Sequence, residues 1–533
     1  MRQTIYYNGP ILTMRPGPMP DAVLTEGGRI VAVGGLEEVL SAAGPNAEHF
    51  DLEGHTLMPA FIDPHSHLSS LAGTIRMVAL DGADSFAEIQ RRIRDHIERN
   101  HIPPHEAVTG FGYDNNALAE RAHPTRQLLD EAGGGRPVVI ATASLHMGVA
   151  SSAALAAFGI DRNTPDPAGG RIGRDEAGEP TGYLEEAAFV GAMMKSPPPD
   201  AEAVAGQFLE AEKIYLQNGI TTVQDGFTEA GQWKIMKAIA QAGRFTVDVV
   251  CYPGLEKYAQ IARENPEEVQ GYRGRLRIGG YKIILDGSPQ GRTAWMREPY
   301  LGPDPDYRGY PIYTDEQVEG FIETAVAQKM QLLAHCNGDA AAEQFLKLYT
   351  KVSQRRPEAK ELRPVMIHAQ LATPEQIARM APLGMVASFF VAHTYYWGDV
   401  HLKNFGPARG GAISAVRSAI ENHVPYTFHQ DTPVLPPNML DTVWCAVHRI
   451  TKNGAVLDQN QRVTVYEALQ GVTTWAAYQY GEEQVKGSIA PGMQADLVVL
   501  SENPLADPER LREIRVLHTI KEGKLAYSRP DAL

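Results

Sequence analysis

The sequence predicts an α/β chain built around a (β/α)8 TIM barrel, and three observations point that way. Eight short apolar runs lie between Leu57 and His429, most of them separated by amphipathic stretches of helical period. Polar residues able to do chemistry close several of these runs, the end of a barrel strand where active sites sit. The two ends of the chain read instead as short strands and tight turns. The chain has 533 residues, 43% hydrophobic and 21% charged, enough for one large core and a smaller satellite.

In chain order, Thr4–Tyr7, Ile11–Met14, Ala22–Glu26 and Arg29–Val33 are β-rich, with Gly27-Gly28 placed where a hairpin turn needs glycine. Lys486–Ile489, Ala495–Leu500 and Val516–Ile520 repeat that texture near the C-terminus. Neither end is long enough for a core of its own, so residues 1–57 and 485–533 are expected to form one small β-sandwich. Residues 58–484 are then the barrel. Its strand candidates are Leu57–Ile62, Gly219–Gln224, Phe245–Cys251, Leu276–Leu285, Met330–His335, Pro364–His368, Met385–Val391 and Val424–His429, with helical stretches such as Asp315–Lys329 and Pro374–Met380. About 150 residues separate the first two candidates, far more than an ordinary βα connection. The excess, at about 70–215, reads as a large insertion after strand 1, with a helix over Ser85–Asn100 and a strand over Pro137–Ala143.

A formal net charge of −15 argues against a phosphate-backbone partner, so no nucleic acid is expected. Three cysteines without a CxxC pair argue against a disulfide framework or thiolate zinc site and fit a reducing compartment. The opening Met-Arg-Gln-Thr-Ile-Tyr-Tyr lacks the apolar region of a signal peptide, and no run of ~20 apolar residues is present. The expectation is a cytoplasmic enzyme with no membrane partner, acting on a small molecule. A homodimer is expected only from the prevalence of such assemblies.

The first chemical signal is Asp63-Pro64-His65-Ser66-His67, directly after an apolar strand. Histidines at i and i+2 of a strand share a face and can reach one metal. With 17 histidines, roughly half a His-x-His pair arises by chance, so its place at a strand end is what counts. The second signal is a series of single residues at later strand ends: Lys282, His335, His368 and Asp431. Each alone has a bland explanation, as a structural histidine, half an ion pair or a helix cap. The series is harder to dismiss.

That order of His-x-His, Lys, His, His, Asp resembles the amidohydrolase superfamily, in the family 3 branch that includes N-substituted formamide deformylase. The resemblance runs through Leu57–His67, Gly178–Ala187, Asp286-Gly-Ser-Pro-Gln-Gly-Arg-Thr-Ala294 and Gly487–Leu500. It implies that His65 and His67 bind one divalent metal with Asp431, and His335 and His368 a second. Lys282 would bridge them as a CO2-derived carbamate; an unmodified Lys282 in a one-metal site is the alternative. Zinc is the first expectation, with iron or manganese close behind. The implied reaction is hydrolysis of an amide-type C–N bond, in an N-substituted formamide or N-acyl amine, by metal-bound hydroxide, with Asp431 as proton shuttle.

His146, Arg292, His393 and Trp397 are candidates to line the substrate pocket, and Phe389, Phe390, Tyr395 and Tyr396 hint at an apolar substrate or simply pack the barrel. The chain departs from the branch's pattern in three places. Ser151 follows His146 where an Asn is usual, His429-Gln430 precede Asp431 where residues are usually small, and the segment 388–399 is bulky. A deaminase or lactonase on the same barrel, or a non-catalytic binding protein, are the rival readings. A serine amidase is disfavoured, because no Gly-x-Ser-x-Gly elbow is found.

Overall fold

The computed structural model describes residues 2–115, 117–142, 147–167, 169–193 and 201–530. Contacts divide the chain into two compact units, Met1–Leu71 with Phe208–Leu533, and Ala72–Gln207.

The first unit is α/β. Phe61–Ile62, Ile220–Thr228, Asp248–Pro253 and Leu276–Ile278 form one parallel sheet in chain order. Gly280–Ile284, Gln331–Cys336, Val365–His368, Val386–Phe389 and Tyr426–Phe428 form a second. The run expected as the single strand Leu276–Leu285 is therefore two strands meeting at Gly279. A Cβ at Gly279 would lie 2.6 Å from the Tyr252 ring, so only glycine lets the backbone pass there. A parallel bridge between Gly254 and Lys282 links the two sheets across this break. Helices alternate with the strands, and three of them start on side-chain caps. Thr314 with Gln317, Thr373 with Gln376 and Thr464 with Glu467 each make a reciprocal capping box.

The expected strand Leu57–Ile62 is also two. Thr56–Pro59 pairs antiparallel with Leu497–Leu500, whereas Phe61–Ile62 pairs parallel with Ile220–Thr228. The switch falls at Ala60, whose N–H donates to Asp496 while that of Phe61 donates to Gly219. The chain thus leaves the terminal sheets at Ala60, shortly before the histidine pair.

Gln3–Tyr7, Ala22–Glu26, Arg29–Gly34 and Glu48–Asp51 make one four-stranded sheet. Thr56–Pro59, Leu497–Leu500, Val516–Lys521 and Lys524–Ser528 make another. Gly27 and Gly28, both at positive φ, close the predicted hairpin. Ile11–Met14 is not a strand: Pro10 precedes it, Met14 is left-handed, and only a bridge from Ile11 to Leu57 forms. Nor is Lys486–Ile489, which is bent, irregular chain. Residues from both chain ends, among them Tyr6, Val23, Leu57, Leu497 and Val499, share one apolar core.

The second unit holds a six-stranded sheet, including Val108–Tyr113, Val138–Thr142 and Met147–Ala150. Its helices Phe86–Arg99, Arg126–Gly133 and Ser152–Phe158 are capped by Ser85, Thr125 and Ser151. Among the described residues, no helix is long and apolar enough to cross a membrane.

Candidate active site

The segment 63–67 leaves the strand Phe61–Ile62 and is pinned by its neighbours. Gln224 and Gln479 both donate to the Pro64 carbonyl, at 2.7 and 2.8 Å, and the Tyr480 hydroxyl donates to the Asp63 carbonyl at 2.8 Å. The amide nitrogen of Gln224 being used this way, its Oε1 faces His65 Nδ1 at 2.6 Å. The ring proton of His65 therefore sits on Nδ1, and Nε2 presents a lone pair. That Nε2 lies 3.2 Å from Lys282 Nζ and 3.4 Å from Asp431 Oδ1. His67 Nε2 is 3.3 Å from the same oxygen.

Asp431 Oδ1 is buried and accepts no hydrogen bond of good geometry. A buried carboxylate oxygen left in this way is costly unless a cation meets it. Donor atoms of His65, His67 and Asp431 all lie within 4.8 Å of one another, so the set of two imidazoles and a carboxylate fits a divalent ion.

The other two histidines come from adjacent strands, their rings 4.5 Å apart. His335 Nδ1 stands 3.2 Å from Asp286 Oδ1, and the Asp286 carboxylate is itself fixed by backbone N–H groups of Asn337, Gly338 and Trp295 at 2.9, 2.7 and 3.0 Å. His368 Nδ1 faces His429 Nε2 at 3.1 Å. His368 and Asp431 both have left-handed backbone, φ 71° and 54°. Such non-glycine conformations cost about 1–3 kcal/mol each and persist where surroundings hold them.

Burial dominates the electrostatics. It pushes the Lys282 amine down to about 7, with the Asp431 charge opposing. Burial likewise holds His65 and His368 well below the ordinary imidazole value and brings His429 to about 3. Asp63 is raised to about 8 by burial. Burial raises Asp431 too, but the contact with His67 and the histidine charges around it outweigh that and hold it well below the usual carboxylate range. At neutral pH the rings of His65, His368 and His429 are therefore neutral, the Lys282 amine is partly so, and Asp431 is ionised.

Of the residues read from sequence, His65, His67, Lys282 and Asp431 meet directly, and His335 and His368 join them through ring contacts. His393 is buried, its Nδ1 2.9 Å from His401 Nε2, and its ring packs on Phe390 and Trp397. Phe390 in turn touches the rings of His368 and His429. Arg292 is half-buried, its guanidinium 5.3 Å over Tyr300. Tyr395 packs on Trp444 and Tyr396 donates to Asp441, away from the histidines. His146 lies outside the described residues. Sequence reasoning missed Gln224 and Asp286. Gln224 could have been found by the rule used elsewhere, a polar residue at the end of an apolar strand.

The amidohydrolase family's sequence profile matches residues 48–527. The chain is 31% identical to N-substituted formamide deformylase of Arthrobacter pascens, over 95% of each chain. Its fold matches that of an uncharacterized metal-dependent hydrolase from Pyrococcus furiosus, with TM-score 0.77 and 24% identity over 94% of this chain and 100% of the other. A second such hydrolase, from Pyrococcus horikoshii, gives TM-score 0.78 and 23% identity over 98% and 100%. Since the profile covers the histidine-bearing strands and runs on into the C-terminal strands, this chain belongs to the amidohydrolase family.

Proposed function

We propose that the chain is a metal-dependent hydrolase of amide-type C–N bonds, acting on an N-substituted formamide or another N-acyl amine. In this reading the two parallel sheets close as a (β/α)8 barrel beside a composite β-sandwich. The carrying observation is the meeting of His65, His67 and Asp431 from opposite ends of the strand series, with Lys282 Nζ 3.2 Å from His65. The choice of formamide rests on the likeness to the Arthrobacter deformylase.

His65 and His67 would hold one divalent cation with Asp431, and His335 and His368 a second, with Lys282 between them. A divalent cation bound there lowers the pKa of water and polarises a carbonyl oxygen. The chain's own residues do the rest. Asp431 takes a proton from the attacking water and passes it to the leaving nitrogen. Lys282 adds CO2 through its neutral amine: the N–C bond forms, one proton leaves, and the carbamate offers two oxygens. Phe390, against His368 and His429, excludes water from that side.

The test is metal content in protein purified without chelator, for the parent, Lys282→Ala and His65→Ala, followed by assays on N-substituted formamides. The expected result is about two metals in the parent, a sharp fall in both variants, and formate release. About one metal, kept by Lys282→Ala and lost by His65→Ala, removes the carbamate. No metal in any form, even after reconstitution, removes the hydrolase reading.

A further inference from the structure

Three histidines of the site, His65, His335 and His368, have their Nδ1 atoms matched by three different groups. His65 has the amide oxygen of Gln224, and His335 has the Asp286 carboxylate. Both are acceptors that keep the ring proton on Nδ1 and leave Nε2 unprotonated. His368 has another histidine: His429 Nε2 at 3.1 Å, with His429 Nδ1 2.9 Å from Ser388 Oγ. His368, His429 and Ser388 are 4%, 0% and 0% exposed, so no bulk water decouples them.

Two proton registers satisfy these three groups. In one, the Ser388 hydroxyl donates to His429 Nδ1 and His429 Nε2–H donates to His368 Nδ1, which forces the His368 proton onto Nε2. In the other, His368 Nδ1–H donates to His429 Nε2, and His429 Nδ1–H donates to Ser388 Oγ. Only the second leaves a lone pair on His368 Nε2, and only it agrees with the tautomers set at His65 and His335.

We infer that His429, held by Ser388, is a positioning residue that fixes His368 in its Nδ1–H tautomer and so makes its Nε2 a metal ligand. The metal half of this statement rests on the proposed function; the tautomer half does not. The position needs such a holder, because His368 and Ala369 both have left-handed backbone, φ 71° and 43°, and backbone preference alone does not aim the ring.

Ring 15N spectroscopy of metal-free protein, with histidine labelled, reads the tautomer. His368 is expected as Nδ1–H in the parent and to lose that state in His429→Leu. His429→Gln should restore it, since a glutamine amide oxygen reaches about as far as Nε2 and already performs this role at His65. Zinc titration against a competing chelator should weaken by about 10- to 100-fold in His429→Leu and return to within a few-fold in His429→Gln. Ser388→Ala, the milder change, should fall between them and serves if Leu at 429 does not fold, as thermal unfolding will show. An Nδ1–H signal unchanged in His429→Leu and Ser388→Ala overturns the inference, as does a Gln variant no better than Leu. No zinc binding by a parent whose tautomer depends on His429 overturns the hydrolase reading and leaves the positioning role. Tight zinc binding indifferent to every substitution does the reverse.

Discussion

Two groups of lysines are buried in this protein, and they are treated in opposite ways. Lys486 and Lys521, each 3% exposed, sit in a net of carboxylates. Asp248 Oδ2 meets both at 2.6 Å, Asp496 meets Lys521 at 2.7 Å, and Glu482 meets Lys486 at 3.1 Å. Burial pulls Lys486 down, but Asp248, Tyr272 and Glu482 together carry it well above the ordinary lysine value. Lys282 is as deeply buried, at 2% exposed, yet its amine faces a histidine nitrogen and the charge of Asp431 outweighs only part of its burial. Asp248 opens the strand Asp248–Pro253, whereas the histidines and Asp431 lie at or beyond strand ends. Burial alone therefore marks neither function nor stability. A lysine whose charge is fully matched ties elements together, and one left short of partners is available for chemistry.

That contrast can be broken by experiment. The largest effect is expected from Asp431→Asn, which keeps the shape but removes the proposed proton acceptor. Turnover on an N-substituted formamide should fall by about 10²- to 10⁴-fold while thermal unfolding moves little. Next comes Asp248→Ala, which removes the carboxylate shared by two buried ammonium groups and leaves each with one carboxylate partner, Asp496 for Lys521 and Glu482 for Lys486. Denaturant unfolding should show a loss of about 3–5 kcal/mol, with metal content of the folded protein unchanged. If instead metal content falls and stability holds, the two lysine sites have been assigned the wrong way round.

Lys282→Met should abolish turnover with little or no loss of stability, because it removes an undermatched buried amine. Its pH dependence sharpens the point. In metal-free protein the amine titrates near 7 when folded and near 10.5 when unfolded, so between those values the unfolded chain binds more protons. The parent should lose stability relative to Lys282→Met as pH falls from about 10.5 to about 7, then level off. A difference that does not vary with pH would mean that Lys282 is matched by a carboxylate after all.

Much of the site was legible because its signals are local. The histidine pair after an apolar run, and His335, His368 and Asp431 at or beyond the ends of later runs, need only strand periodicity to be placed. Lys282, by contrast, lies in the middle of Gly280–Ile284 and was singled out with the help of the resemblance. Helix starts have equally local causes, though they were not read from the sequence: Ser85 and the three threonine capping boxes lie within three residues of the groups they satisfy. The strand boundaries were less legible. Nothing in the apolar run Leu57–Ile62 says that it changes sheets at Ala60, because both halves are buried and only their partners, Leu497–Leu500 and Ile220–Thr228, differ. At Gly279, where the fourth run breaks, the room for the chain is set by Tyr252, a residue of the neighbouring strand.

The order of strands thus follows from residue periodicity within short stretches of chain, and the candidate chemical residues from their place along those stretches together with the family resemblance. What tertiary structure alone decided is the protonation and aim of those residues. Gln224 is 159 positions from His65, Asp286 is 49 from His335, and His429 is 61 from His368. Each pairing depends on how two strands register across a sheet or a loop turns at its end, and on burial that removes competing water. Those are properties of packing, and no local pattern carries them.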